Sequence, residues 1–316
     1  MTQLSIVVAC FERTELLEES LVAVLQQRPR DCEVLVVHDG RYQDPYELTD
    51  EVEYVLVAPG SGWVEAIEAG WRASRGKVVH VLGAGVLPQS GWTDAALAEF
   101  RDPAVGSVIP LVEDAGNAGR IRCVGVGVGA CLGRRLVGAG RTSEQTNFNR
   151  LRPLGPNLAA SFFRREALQQ VGGLDDRFGD DLSDIDLARR LDEAGYETAI
   201  VPNCRLTAGA FDQPRNRRAA AQGRGHQRLI RSWSALPAWR KTLAAWWQVA
   251  IELVTAPRAP RRLASVWGRL SEMRTASPVA ATTSAVPVIS LAEHQKRKPQ
   301  AQEANYEESA PRRRAA

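Results

Sequence analysis

A chain of 316 residues, 44% hydrophobic and 24% charged, can form one large domain with appendages or two small ones, and its composition is that of an ordinary globular protein. No run of eighteen apolar residues occurs, which argues against a transmembrane helix, and five scattered cysteines (Cys10, Cys32, Cys123, Cys131, Cys204) with no CxxC pair argue against a disulfide framework or zinc site and suit a reducing cytoplasm. The net charge of +3 hides an asymmetry, because residues 1–211 carry 21 Lys/Arg against 30 Asp/Glu while residues 212–316 carry 19 against 7.

Residues 4–9 (LSIVVA) form a continuous apolar run, expected as a strand buried on both faces and not as a signal peptide. Thr14 is placed to cap a helix whose apolar stripe is Leu16, Leu17, Leu21, Val24 and Leu25. Further buried strands are expected at 33–37, 53–57, 77–82 and near 105–110, with a helix from about Gly62 to Ser74. Strands alternating with helices at this spacing predict βαβ units and a mostly parallel, Rossmann-like sheet. Ligands of such sheets bind beyond the carboxyl ends of the strands, here Ala9–Arg13, His38–Gly40 and Gly83–Gly85. The glycine-rich stretch 115–157 suggests short strands near 121–131 and a mobile loop at 138–157. Helices are expected at 163–171 and 184–194, and a strand at 197–201.

The order of these segments resembles glycosyltransferase family 2. LSIVVACFERTELLEESLVAVLQQ is similar to the family's opening strand and helix, and CEVLVVHDG to its second strand with an acidic end. The stretch from Ser61 to Trp92 is similar to the part that ends in the metal motif, and VGGLDDRFGDDLSDIDLARRLDEAGYETAIVP to the acceptor-side segment. The resemblance covers about residues 3–211 and implies a GT-A fold, with a nucleotide-binding half at 1–110 and an acceptor half at 111–211. It further implies transfer of a sugar from a UDP- or GDP-type donor to a hydroxyl of a glycan or lipid-linked glycan, with inversion. By the same resemblance Phe11 stacks on the base, with core lining as the alternative, and Asp39 accepts hydrogen bonds from the base or ribose, with a turn role as the alternative. Ala9 and Arg13 flank that pocket. Asp184 is the general base and Asp186 its companion, although Ser183-Asp184-Ile185-Asp186 also reads as an acidic helix start. Asp180 and Asp181 are the substitutes in the same loop.

The pattern breaks at the metal. Family members hold Mg²⁺ or Mn²⁺ with an Asp-x-Asp motif, but Gly83-Ala84-Gly85 stands in its place. Ala208 falls where a histidine ligand is expected, and Gly62 where an arginine often sits. Three readings stay open. The enzyme could work without a metal, through Gly83–Gly85 amides or through Arg13, Arg72 and the arginines of 212–228; it could be a non-catalytic binding or scaffold protein; or Glu65 or Glu68 could hold an ion.

Beyond residue 211 the chain is basic. Two amphipathic helices are expected, one with Trp239, Leu243, Trp246, Trp247, Ala250, Ile251 and Val254 on one face, the other with Leu263, Val266, Trp267, Leu270 and Met273. Tryptophans with basic flanks over 228–275 suit an anionic membrane surface, here the inner face of the membrane, whereas packing onto the domain is the plainer expectation. Nucleic acid is not expected, because the aromatics are not interleaved with the arginines. Residues 276–316 have the composition of a disordered tail.

Overall fold

The computed structural model describes residues 2–11, 13–129, 132–209, 219–233, 237–255 and 261–274, together with the backbone of 289–290. The first strand β1 (Leu4–Ala9) alternates its side chains between two cores. Leu4, Ile6 and Val8 pack with Leu17, Leu21 and Val24 of α1 (Thr14–Gln27), while Val7 and Ala9 pack with Ala66 and Ile67 of α2 (Trp63–Ala73). Because both faces are covered, the strand can be apolar at almost every position. The exception, Ser5, is fully buried and donates to Glu33. Arg13, not Thr14, takes the N-cap position of α1, and no side chain caps this helix.

β1 pairs in parallel with β2 (Cys32–His38) on one side and with β4 (Val78–Gly83) on the other, and β3 (Glu53–Leu56) continues beyond β2. The polypeptide then turns through β5 (Val86–Pro88) and α3 (Trp92–Glu99) into the long β6 (Val105–Asp114), on which β7 (Ile121–Cys123) folds back. A separate two-stranded ribbon consists of β8 (Val126–Val128) and β9 (Arg134–Leu136).

Residues 163–171, expected as one helix, divide instead. β10 (Ala160–Arg164) is a central strand, antiparallel to both β4 and β6, and only α4 (Arg165–Gln170) is helical. β10 therefore inserts between β4 and β6, so one sheet runs through residues on both sides of position 110. After α5 (Ser183–Glu193) comes β11 (Glu197–Ala208), which pairs with β6 and β5. The two-residue β12 (Ile289–Ser290) pairs with β3, so the sheet order is β12-β3-β2-β1-β4-β10-β6-β11-β5 among the described residues.

Three helices follow: α6 (Ala219–Ser232), α7 (Ala238–Thr255) and α8 (Arg261–Arg274). Leu229 of α6 packs with Phe178, Leu182 and Ile185, which seats the helix on the loop before α5. α6 and α8 cross at glycines. A Cβ on Gly268 would lie 2.0 Å from the carbonyl oxygen of Ala220, and one on Gly223 2.0 Å from that of Ser265. Ion pairs Arg228–Glu272 at 3.0 Å and Arg269–Glu252 at 2.8 Å tie the three helices together. The tail at 276–316 lies outside the described residues except for 289–290, as does the acidic-to-basic switch near Phe211.

Candidate active site

Parallel register brings the expected ligand end together. Ala9 is paired with Val37 and with Gly83, so the carboxyl ends of β1, β2 and β4 lie side by side. Asp39 follows β2 directly. Its side chain is 2% exposed and its Oδ2 pairs with Arg41 at 3.0 Å. Its Oδ1 is buried with no hydrogen-bond partner among the described residues. A buried carboxylate oxygen without a donor is costly, and this atom lacks a hydrogen-bond donor among the described residues.

Phe11 is only 4% exposed and packs in one core cluster with Trp63, Leu158 and Leu187. That is the core-lining alternative, and the ring offers a base little open face. Arg13 is exposed and pairs with Glu15 at 2.9 Å. Arg72 lies at the far end of α2 from the site, bound to Glu68 and stacked on Trp71. This corrects the expectation that it reaches a diphosphate. Of the arginines in 212–228, Arg215, Arg217 and Arg218 fall outside the described residues, and Arg228 is engaged by Glu272.

The loop leading into α5 delivers its acids to different partners. Asp184, at the start of α5 and 3% exposed, is held in a fork by Arg134 of β9, with Nη2–Oδ2 at 2.7 Å and Nε–Oδ2 at 2.9 Å. Oδ1 also accepts the backbone N–H of Ile185 at 2.9 Å. Burial pushes the Asp184 carboxyl above the usual carboxylate range, against the pull of the Arg134 charge. Asp186 is 1% exposed and ion-paired within its own helix, to Arg189 at 3.0 Å and Arg190 at 2.7 Å. The two aspartates therefore do not act as a pair: Asp184 faces β9, and Asp186 braces α5.

Asp180 sits at the N-terminus of α2, where its Oδ1 accepts the Val64 N–H at 3.2 Å and covers Gly62. Burial pushes its carboxyl up to about 6, with the charges of Asp181 and Glu65 adding to the effect and the Val64 N–H opposing it. Folding thus takes up a proton between the ordinary value of 3.8 and about 6, and stability falls as pH rises through that window. Asp180→Asn should therefore be about 1–3 kcal/mol more stable than the parent at pH 7, with the difference vanishing near pH 4. Urea midpoints at the two pH values check this, and an equal difference at both would refute it.

Over residues 2–250 the sequence matches the family described as "Glycosyltransferase like family 2". The chain belongs to glycosyltransferase family 2. No curated protein matches it. Among solved structures it is similar to GalNAc-T7, crystallised with UDP, GalNAc and Mn²⁺, at 14% identity and a TM-score of 0.60 over 80% of this chain and 51% of that one. It therefore spans about half the length of that relative. It is also similar to the mannosyltransferase PcManGT from Pyrobaculum calidifontis, in complex with GDP-Man and Mn²⁺, at 17% identity and a TM-score of 0.52 over 87% and 88% of the two chains. At these identities the likeness is one of fold, and the curled, mostly parallel sheet is that of a GT-A protein.

In this family-2 chain Gly83–Gly85, where the sequence leads one to expect a metal motif, do not fit an ion. Gly83 and Gly85 offer no side chain, and a Cβ on Gly83 would meet Ala159 and Trp63 at 3.3 Å. The Gly83 N–H donates to the carbonyl of Ala159 at 2.9 Å, and the Gly85 N–H donates to Ser20 Oγ at 2.9 Å. These two amides therefore do not point at an anion, contrary to the sequence expectation. Ala208 is a buried β11 residue paired with β5. Glu65 accepts the Gly62 N–H, and Glu68 accepts from Trp71, Arg72 and the Leu174 N–H, so both serve the fold. Among the described residues no group of three or more His, Cys, Asp or Glu is placed to hold a metal.

Sequence reasoning missed Arg134 and Trp63. Arg134 lies in a glycine-rich stretch, 50 residues from the aspartate it binds, and only the fold brings the two together. Trp63 looked like an ordinary start to α2. Arg134 also lines a cavity of about 650 Å³ between the α5 loop and the C-terminal helices, together with Asp181, Gln222, His226, Arg262 and Arg269.

Proposed function

We infer that the protein is a metal-independent glycosyltransferase that takes a sugar from a nucleoside diphosphate of the UDP or GDP type and passes it to a hydroxyl of a glycan or lipid-linked glycan. The observation that carries the reading is Asp39, whose buried Oδ1, without a partner among the described residues, stands at the shared carboxyl edge of β1, β2 and β4. A ribose hydroxyl or a base N–H is the kind of donor that completes it. Family membership over residues 2–250 supports the same chemistry, and the two similar structures carry UDP and GDP-Man.

In the inverting reaction the acceptor oxygen attacks the anomeric carbon while the bond to the diphosphate oxygen breaks, and Asp184 takes the acceptor proton. Its raised affinity for protons suits that role. Arg134 must move off the carboxylate for the acceptor hydroxyl to reach it. The same Arg134 fork favours a second reading, a nucleotide-binding protein that performs no transfer.

Calorimetry with UDP and GDP tests the site. Binding is expected in the presence of EDTA, and Asp39→Ala should weaken it about ten-fold or more, the cost of losing a hydrogen bond to a charged group. Absence of nucleotide binding, or equal binding by the variant, would sink the assignment, and strong Mn²⁺ dependence would overturn the metal-free form. Donor hydrolysis then separates the two readings. Asp184→Asn should lose nearly all turnover in an enzyme, while equal background rates leave only the binder.

A further inference from the structure

The helices after residue 219 do more than pack onto the domain. α6 and the inner faces of α7 and α8 are buried, with Ala245, Val249 and Val266 inside. The outer face of α7 is not covered by the described residues. Trp239, Leu243, Trp246, Trp247 and Val254 are each between 56% and 74% exposed and recur at helical spacing along the element. Leu263 and Trp267 on α8 are 54% and 65% exposed. An apolar face of this extent, rich in tryptophan, marks an interaction surface.

Charge selects the occupant. The two acids described in α6–α8, Glu252 and Glu272, are drawn into internal ion pairs with Arg269 and Arg228. Apart from Arg262, which lines the cavity beside Arg134, the exposed charged side chains described on α7 and α8 are Arg240 and Arg274, both cations. Arg240 lies over the Trp239 ring at 5.2 Å, a pairing of cation and indole suited to the headgroup layer. A second copy of the chain fits poorly, because a two-fold interface would set this arginine rim against itself. α7 has 18 residues, about 27 Å of helix, and none of the helices among the described residues is long and apolar enough to cross a membrane. We propose that the α7 face, with Leu263 and Trp267 of α8, docks the protein flat on a lipid bilayer that carries anionic headgroups, its tryptophans in the interface and its arginines on the lipid phosphates. Docking of this kind needs no transfer chemistry and stands apart from the reading of the active site.

The experiment is sedimentation of the full chain with vesicles of phosphatidylcholine alone or mixed with phosphatidylglycerol. About ten-fold or greater preference for the anionic vesicles is expected, with a comparable loss for Trp246→Ala/Trp247→Ala. Both positions are exposed, so the urea midpoint of the double variant should match the parent. In the unmodified protein, tryptophan emission should shift to the blue on anionic vesicles and be quenched by brominated acyl chains. The proposal is overturned by equal partition of parent and variant, by equal binding to neutral vesicles, by no binding at all, or by a dimer that dissociates with the tryptophan substitutions.

Discussion

Arg134→Leu should cost about 3–5 kcal/mol of folding stability, the penalty for stranding one charge of a buried pair. Asp184 is 3% exposed, and its described side-chain partner is the Arg134 fork on β9. Without the guanidinium, the carboxylate keeps only the Ile185 N–H at 2.9 Å and must be protonated or exposed to water. Adding Asp184→Asn to that variant should recover most of the loss, because an amide tolerates the site uncharged. Urea denaturation of the parent, both single variants and the double variant at pH 7 measures the coupling. If the double variant is as unstable as the sum of the singles, the pair is not energetically linked. The same set gives a functional contrast: Asp184→Asn should abolish transfer while leaving nucleotide affinity at Asp39 unchanged.

Gly268→Ala should have a comparable effect on the C-terminal helices. The new methyl would lie 2.0 Å from the carbonyl oxygen of Ala220, a backbone atom that no rotamer change can move. The helices must part by more than an ångström, at a cost of roughly 3 kcal/mol, the upper range for overpacking. Separation would also pull Arg269 from Glu252 and Glu272 from Arg228. Limited proteolysis should then cut within α7 and α8 far faster than in the parent. Equal digestion of the two proteins would show that the crossing bears no strain.

What could be read in advance follows from where each pattern was local. β1, β2 and β4 are covered on both faces, so their apolar runs stood out, and parallel register then placed Ala9, Asp39 and Gly83 at one edge. The helix expected at 163–171 begins inside β10, at Phe163, because the strand's apolar end runs without a turn residue into the helix-forming Glu166–Gln170, and a short apolar run has no period of its own. α3 has no clean apolar stripe, since its buried residues are Trp92, Thr93 and Ala96, and it escaped notice. The aspartates of the α5 loop were found, but their partners were not. Arg134 reaches Asp184 across 50 positions, and no rule of spacing links them. The tryptophan faces were legible as stripes, whereas their exposure depended on α6 and α8 filling the contact that α7 would otherwise have made.

The indole of Trp63 limits what can be placed at the tip of β4. Its ring and Ala159 are both 3.3 Å from where a Gly83 side chain would begin, and Gly85 is held at a φ of +93°, so a carboxylate at either position comes only with strain. Any side chain brought to this edge of β4 must therefore come with a change at the start of α2, where the Trp63 ring would have to give way.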